Sequence, residues 1–172
     1  MAHQYAIIAT DWGYTGLVTT EHGICRSVLP LPEPGDVETS LLAATPDAVM
    51  CKHVDTTLES QIQDYFSGRC PTLDTAVTLD LQWASPFTLS VLQACRLIPS
   101  GATRTYGELA RAAGHPRAAR AVGGVMAKNP LPLLIPCHRV LGATGRLTGF
   151  SAPGGLKMKQ RMLDLERTAG AD

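Results

Sequence analysis

The chain contains no Cys-x-x-Cys pair, and its five cysteines, Cys25, Cys51, Cys70, Cys95 and Cys137, are odd in number and scattered along 172 residues. That pattern argues against a disulfide framework or a zinc knuckle and suits a reducing compartment. No basic-then-apolar leader opens the sequence, and no apolar run reaches the length of a membrane span. The expectation is a soluble, cytoplasmic or nucleoid-associated protein with no membrane partner. Repeats and low-complexity tracts are missing too. With 45% hydrophobic and 17% charged residues, the chain is too apolar for disorder and long enough to bury a core, as one large domain or two small ones. His3, His22, Cys25 and His53 fall at no standard ligand spacing, so neither a metal nor an organic cofactor is expected.

A net charge of zero conceals a strong asymmetry. Residues 1–95 hold 3 basic and 11 acidic side chains, a net of −8, whereas residues 96–172 hold 12 basic and 4 acidic ones, a net of +8. A basic half without long charge runs can be plain solvated surface, but it is also what a phosphate-facing domain needs. Nucleic acid is the partner this charge favours.

The pattern of elements gives an α/β (α+β) fold: a small N-terminal antiparallel sheet with a helix, then a mainly helical C-terminal domain. Segments 5–10, 15–20 and 23–29 are short and β-branched or alternating, separated by turns at Gly13 and at His22-Gly23, as in a meander. Proline-rich 29–35 is expected to break regular structure. Leu58, Ile62, Tyr65 and Phe66 fall at helical spacing over 56–66, and Gly68 stops that helix. Domains of 1–80 and 81–172 follow, linked near 74–85. Pro86 opens a helix to about residue 97 with Phe87, Val91, Leu92 and Cys95 on one face. Thr105-x-x-Glu108 is a capping box for a short helix ending near Ala112 and Gly114, and Pro116 suits the first turn of a second helix to about Lys128. Two short helices about a glycine turn make a helix-turn-helix. Ala118, Ala119, Ala121, Gly123 and Gly124 keep the second helix thin. It can approach a DNA groove, with Arg111, Arg117, Arg120 and Lys128 available for phosphates, and these residues favour that reading over packing inside a core.

The chemistry concentrates at Ile135-Pro136-Cys137-His138-Arg139-Val140. A thiol reacts as thiolate, and an adjacent base or cation makes that form available near neutral pH. Cys137 is therefore the candidate nucleophile, although a bare Cys-His pair is more often a buried structural cysteine with a chance neighbour. Asn129, ahead of Pro130, can bond backbone on both sides of the turn leading to the Cys137 strand. Arg139 is expected to be structural and paired with a carboxylate. Taken alone, Tyr106 is a core aromatic at a helix start. Glu166 alone is surface charge on the amphipathic helix 156–166, whose Met158, Met162 and Leu165 look like core.

Five ordered blocks change these weights: Tyr106-Gly107-Glu108-Leu109-Ala110, Ala118-Ala119-Arg120-Ala121-Val122-Gly123-Gly124, Asn129-Pro130, Pro136-Cys137-His138-Arg139-Val140, and Gly154-Gly155-Leu156 with Glu166. From about residue 85 to 166 the chain resembles the O6-alkylguanine-DNA alkyltransferases. The resemblance implies single-turnover transfer of an alkyl group from O6-alkylguanine, with O4-alkylthymine as a second candidate substrate, in double-stranded DNA to Cys137. The expected protein is a monomer that can bind DNA cooperatively. It implies that the thin helix enters the minor groove and that Arg120 fills the gap left by a flipped nucleotide. Flipping is demanded by the chemistry, because O6 of guanine faces its pairing partner inside the stack. By the same resemblance, Tyr106 contacts the flipped nucleoside, and backbone around Val140 and Ser151 reads the base. Glu166 orients His138, which through a water takes the thiol proton, and Tyr106 or a water protonates the departing guanine. An alkyl thioether is a poor leaving group and no regenerating thiol is evident, so the product stays on Cys137.

The chain departs from the family pattern at Phe150, where many members have Tyr, in the longer loop 150–155, and at Thr88, Val91 and Leu92. These bear on substrate range and rate. A nonreactive lesion-binding module and a Cys-His acyl hydrolase without a DNA role are the alternatives. A hydrolase would turn over repeatedly and ignore DNA, whereas a binder would leave Cys137 unmodified.

Overall fold

In a computed structural model of the protein, residues 3–70, 72–73 and 76–169 are described. The chain divides into two compact units, Met1–Leu81 and Gln82–Asp172. Asp74, at the start of the expected link, lies outside the described residues, as do the extreme ends of the two expected domains.

In the first unit, β1 (Gln4–Thr10), β2 (Gly13–Thr20) and β3 (Gly23–Leu31) form the meander. β1 and β2 are in register from Gln4 opposite Thr19 to Thr10 opposite Gly13. Gly13 takes φ +116°, and a Cβ there would lie 2.5 Å from the Leu31 carbonyl oxygen, so this turn requires glycine. Two elements were not expected. α1 (Pro34–Ala44) occupies part of the proline-rich stretch, and β4 (Val49–Met50) joins the β1 edge in parallel. The sheet, ordered β3-β2-β1-β4, is therefore mixed rather than wholly antiparallel. Only the bend at Pro32 interrupts regular structure, because Pro30 and Pro34 sit where a missing N–H costs nothing. Pro30 lies in a bulge where the β2–β3 register skips from Gly16/Val28 to Tyr14/Leu31, and Pro34 stands in the first turn of α1. α1 lies so close over the sheet that a Cβ on Gly16 would meet Leu41 and Val37 at 2.7 Å. Val37 and Leu41 complete a core with Tyr5, Val18 and Val28, each buried Leu or Val contributing about 2 kcal/mol. α2 (Thr56–Phe66) spans the expected residues, capped by Asp55, whose Oδ1 accepts from Leu58 N at 3.0 Å.

In the second unit, α3 (Pro86–Arg96) is capped by Ser85 and buries Val91, Leu92 and Cys95. β5 (Arg104–Thr105) leads directly into α4 (Tyr106–Ala112), whose capping box is complete: Thr105 Oγ1 accepts from Glu108 N at 3.2 Å, and Thr105 N donates to Glu108 Oε2 at 2.7 Å. Gly114, at φ +83°, ends the turn after α4. α5 (Ala119–Ala127) starts later than expected, because residues 115–118 close a separate turn, with Ala118 N donating to the His115 carbonyl at 2.9 Å. Pro116 and Arg117 thus precede the helix. α3, α4 and α5 pack on one another. β6 (Val140–Leu141) pairs in parallel with β5, and α6 (Gly155–Ala169) closes the unit. α6 turns inward Lys159, Met162, Leu163 and Glu166, while Met158 and Leu165 are only half-buried. Among the described residues no helix is long and apolar enough to cross a membrane.

Candidate active site and nucleic-acid interface

Cys137, His138 and Arg139 form one turn of 3-10 helix and not the expected strand. Pro136 has no N–H to offer a ladder, and pairing begins only at Val140. The approach to this turn is tightly held. Asn129 Nδ2 donates to the Ile135 carbonyl (2.9 Å) and its Oδ1 accepts from Leu131 N (3.0 Å), so one side chain spans the loop. Leu133, at φ +74°, is the single non-glycine residue in the left-handed region among those described. Such a backbone costs roughly 1–3 kcal/mol, and the burial of Leu131, Leu133, Leu134 and Ile135 offsets it.

Behind the thiol lies a buried cluster. His138 and Glu166 are each 1% exposed, and His138 Nε2 meets Glu166 Oε1 at 2.7 Å. The carboxylate makes Nε2 the protonated nitrogen and Nδ1 the basic one. Arg139 binds the same carboxylate through Nε (2.9 Å to Oε2) and Nη2 (2.8 Å to Oε1), and its Nη1 donates to the Ile98 carbonyl at 2.6 Å. Gly101 N adds a bond to Glu166 Oε2 at 3.2 Å. Glu166 is therefore shared between orienting His138 and neutralising Arg139, which the sequence reading kept apart as a relay residue and a separate structural pair. Burial opposes ionisation of Glu166, but the hydrogen bonds from His138 and Arg139 and the charge of Arg139 win and hold it down to about 2. Burial pushes His138 below its ordinary value, against the pull of Glu166, so the imidazole rests neutral and able to accept a proton.

Cys137 is 9% exposed, reachable but largely desolvated. Burial pushes its thiol up, while the polar Asn129 side chain and the nearby Lys159 ammonium favour the thiolate. Lys159 escaped the sequence reading. It is fully buried, and its Nζ donates to the carbonyls of Val140 (2.6 Å) and Thr148 (3.0 Å) and lies 5.9 Å from the centre of the Phe150 ring. The Val140 carbonyl, expected to face a base, already accepts from Lys159 and keeps one lone pair for a second donor.

Tyr106, at the start of α4, is half-buried. A Cβ on Gly123 of α5 would lie 3.9 Å from its ring, and one on Gly149 would lie 3.7 Å from its hydroxyl. The 148–151 loop is fastened to the end of α5 by Ser151 Oγ, which donates to the Ala127 carbonyl at 2.7 Å. Tyr106, Gly123, Phe150 and Ser151 thus come from two helices and one loop that are joined to each other. Arg120 on α5, Arg117 in the preceding turn and Lys128 at the C-cap are exposed, and Ala119 is partly so.

A family model described as the DNA-binding domain of 6-O-methylguanine DNA methyltransferase matches residues 86–168. The methylated-DNA–protein-cysteine methyltransferase of Mycolicibacterium paratuberculosis is 48% identical over 107 residues, 62% of this chain and 62% of that protein. Its namesake from Methanosarcina acetivorans is 42% identical over 106 residues, 62% of this chain and 65% of its own length. These alignments span less than two thirds of either relative. The structure of Mycobacterium tuberculosis O6-methylguanine methyltransferase matches with a TM-score of 0.77 at 32% identity, covering 99% of this chain and 96% of that one. Mycobacterium tuberculosis OGT in complex with DNA gives 0.80 at 32% identity, covering 96% and 94%. With the Cys137-His138-Glu166 cluster seated in the matched region, the chain belongs to the O6-alkylguanine-DNA alkyltransferase family.

Proposed function

We propose that this protein repairs DNA by moving the alkyl group of O6-alkylguanine in duplex DNA onto Cys137, once per molecule. The observation that carries this reading is the buried Cys137, on a turn whose approach Asn129 braces, beside a neutral imidazole whose opposite nitrogen is fixed by Glu166. His138 takes the thiol proton through a water. Sulfur attacks the alkyl carbon in line, the S–C bond forms as the C–O6 bond breaks, and the electron pair leaves with guanine, which Tyr106 or a water protonates. The thin helix α5 enters the minor groove with Arg120 in place of the extruded nucleotide. Arg117, Lys128 and the backbone at Ala119 and Gly123 meet phosphates and sugars. Tyr106, Phe150, Ser151 and the backbone at Val140 enclose the base. The protein acts as a monomer in the cytoplasm, at the nucleoid, with domains of about 1–80 and 81–172.

Intact-mass analysis after incubation with duplex DNA carrying one O6-methylguanine tests this. The protein should gain the mass of one methylene, and Cys137→Ser should bind the DNA without gaining it. Unchanged mass with restored guanine would indicate catalytic turnover, and unchanged mass with intact lesion would indicate a binder only.

A further inference from the structure

Lys159 is a buried cation whose counter-charge is not a carboxylate. Its Nζ donates to two neutral carbonyls, which leaves one proton of the ammonium and its full charge to be balanced. Among the described residues, no ion pair joins Lys159 to an Asp or Glu. Glu166, two turns further along α6, already serves His138, Arg139 and Gly101. A desolvated ammonium without a counter-ion is strongly unfavourable. The ionisable groups facing Lys159 are two thiols, Cys137 on the 3-10 turn and Cys95 on α3, and the imidazole of His138, whose protonation Lys159 opposes. Cys95 is wholly buried and its thiol is driven far upward by burial and by Cys137. Cys137 is the more accessible of the two and shares its 3-10 turn with the His138 base, so it is the thiol that ionises.

We propose that Lys159 is the counter-ion of the Cys137 thiolate, and that its bonds to the Val140 and Thr148 carbonyls hold that charge against both walls of the base pocket. Proton and charge are then handled by different residues: His138 receives the proton, and Lys159 balances the sulfur. Arg139 and Glu166, the remaining charges behind His138, neutralise each other. Alkylation forms a neutral thioether and sends the electron pair out with guanine, which leaves Lys159 without its anion. The proposal rests on Cys137 as the alkyl acceptor, but the ion pair can be tested without DNA.

The test is the pH profile of Cys137 carbamidomethylation by iodoacetamide in the full chain, followed by peptide mapping. In Lys159→Met the midpoint should rise by about one to three pH units, and Lys159→Arg should recover most of the shift. An unmoved midpoint in a folded Lys159→Met protein, or equal shifts in both variants, would overturn the pairing. If Lys159→Met does not fold, the unsubstituted protein decides. Capping Cys137 with iodoacetamide should lower the pH at which the Lys159 side chain titrates by NMR, and an unchanged titration would overturn it. A shifted profile in a protein that takes no methyl from DNA would leave the pairing standing and remove the repair function. Methyl transfer with an unshifted profile would do the reverse.

Discussion

Glu166 carries the greatest number of interactions in the site, and its replacement has two separable effects. Glu166→Gln removes the charge that fixes His138 and stabilises its protonated form, so the pH profile of Cys137 alkylation should move upward while DNA affinity stays nearly unchanged. It also strands the Arg139 guanidinium, which should cost about 3 kcal/mol of stability. Because the folded Glu166 titrates at about 2 against an ordinary value of 4.5, its contribution to stability is present above about 4.5 and lost as pH falls toward 2. His138, also depressed, adds destabilisation as pH falls below its ordinary 6.5. Denaturant midpoints measured from pH 7 to pH 3 should therefore fall in the parent and change less in Glu166→Gln. An unshifted alkylation profile would return Glu166 to a purely structural role. Phe150 is the second residue with a sharp expectation. It keeps an apolar wall beneath the Lys159 ammonium without a tyrosine hydroxyl, so free O6-benzylguanine should inactivate the protein readily. Phe150→Tyr should alter the methyl-transfer rate by less than about tenfold, the worth of one hydrogen bond. Competition between methyl and benzyl substrates measures both, and complete resistance to the benzyl compound would show the longer loop closing the pocket.

At the scale of elements, α5 is short, small-residued and exposed along Arg120, Ala121 and Gly124, which suits entry into a groove. Arg120→Ala should slow repair of duplex DNA much more than reaction with free O6-benzylguanine, since only the duplex requires base flipping. Equal losses on the two substrates would remove Arg120 from that role. The elements differ in how clearly the sequence announced them. α2 and α4 were plain because cap, apolar spacing and stop signal agree within each. α1 was hidden by its prolines, and its inward face rests on Val37 and Leu41 alone. β4 is two residues long and carries no pattern, so only its partner β1 defines it. The strand expected at Cys137 became a 3-10 turn because Pro136 and the left-handed Leu133 bend the chain there, which local propensity does not reveal. Lys159 was missed because a helical lysine is ordinarily solvated. The available signal was its spacing, three, four and seven residues before Met162, Leu163 and Glu166, on the buried stripe of α6.

For the whole molecule, the division of charge into −8 over residues 1–95 and +8 over 96–172 concentrates basic side chains in the second part of the chain, where the proposed DNA contacts lie. Duplex binding should weaken with salt along a slope reflecting roughly three to six phosphate contacts. A flat salt response would remove the phosphate-facing role of Arg117, Arg120 and Lys128. In the proposed reaction Cys137 is consumed as it repairs. The most direct measurement supplies O6-methylguanine duplex, labelled in the methyl group, in excess over protein, and counts both restored guanines and label by peptide mapping. The predicted result is one guanine restored per protein molecule, with all label on Cys137. Label on Cys25, Cys51, Cys70 or Cys95, or guanine restored in repeated turnovers, would contradict it.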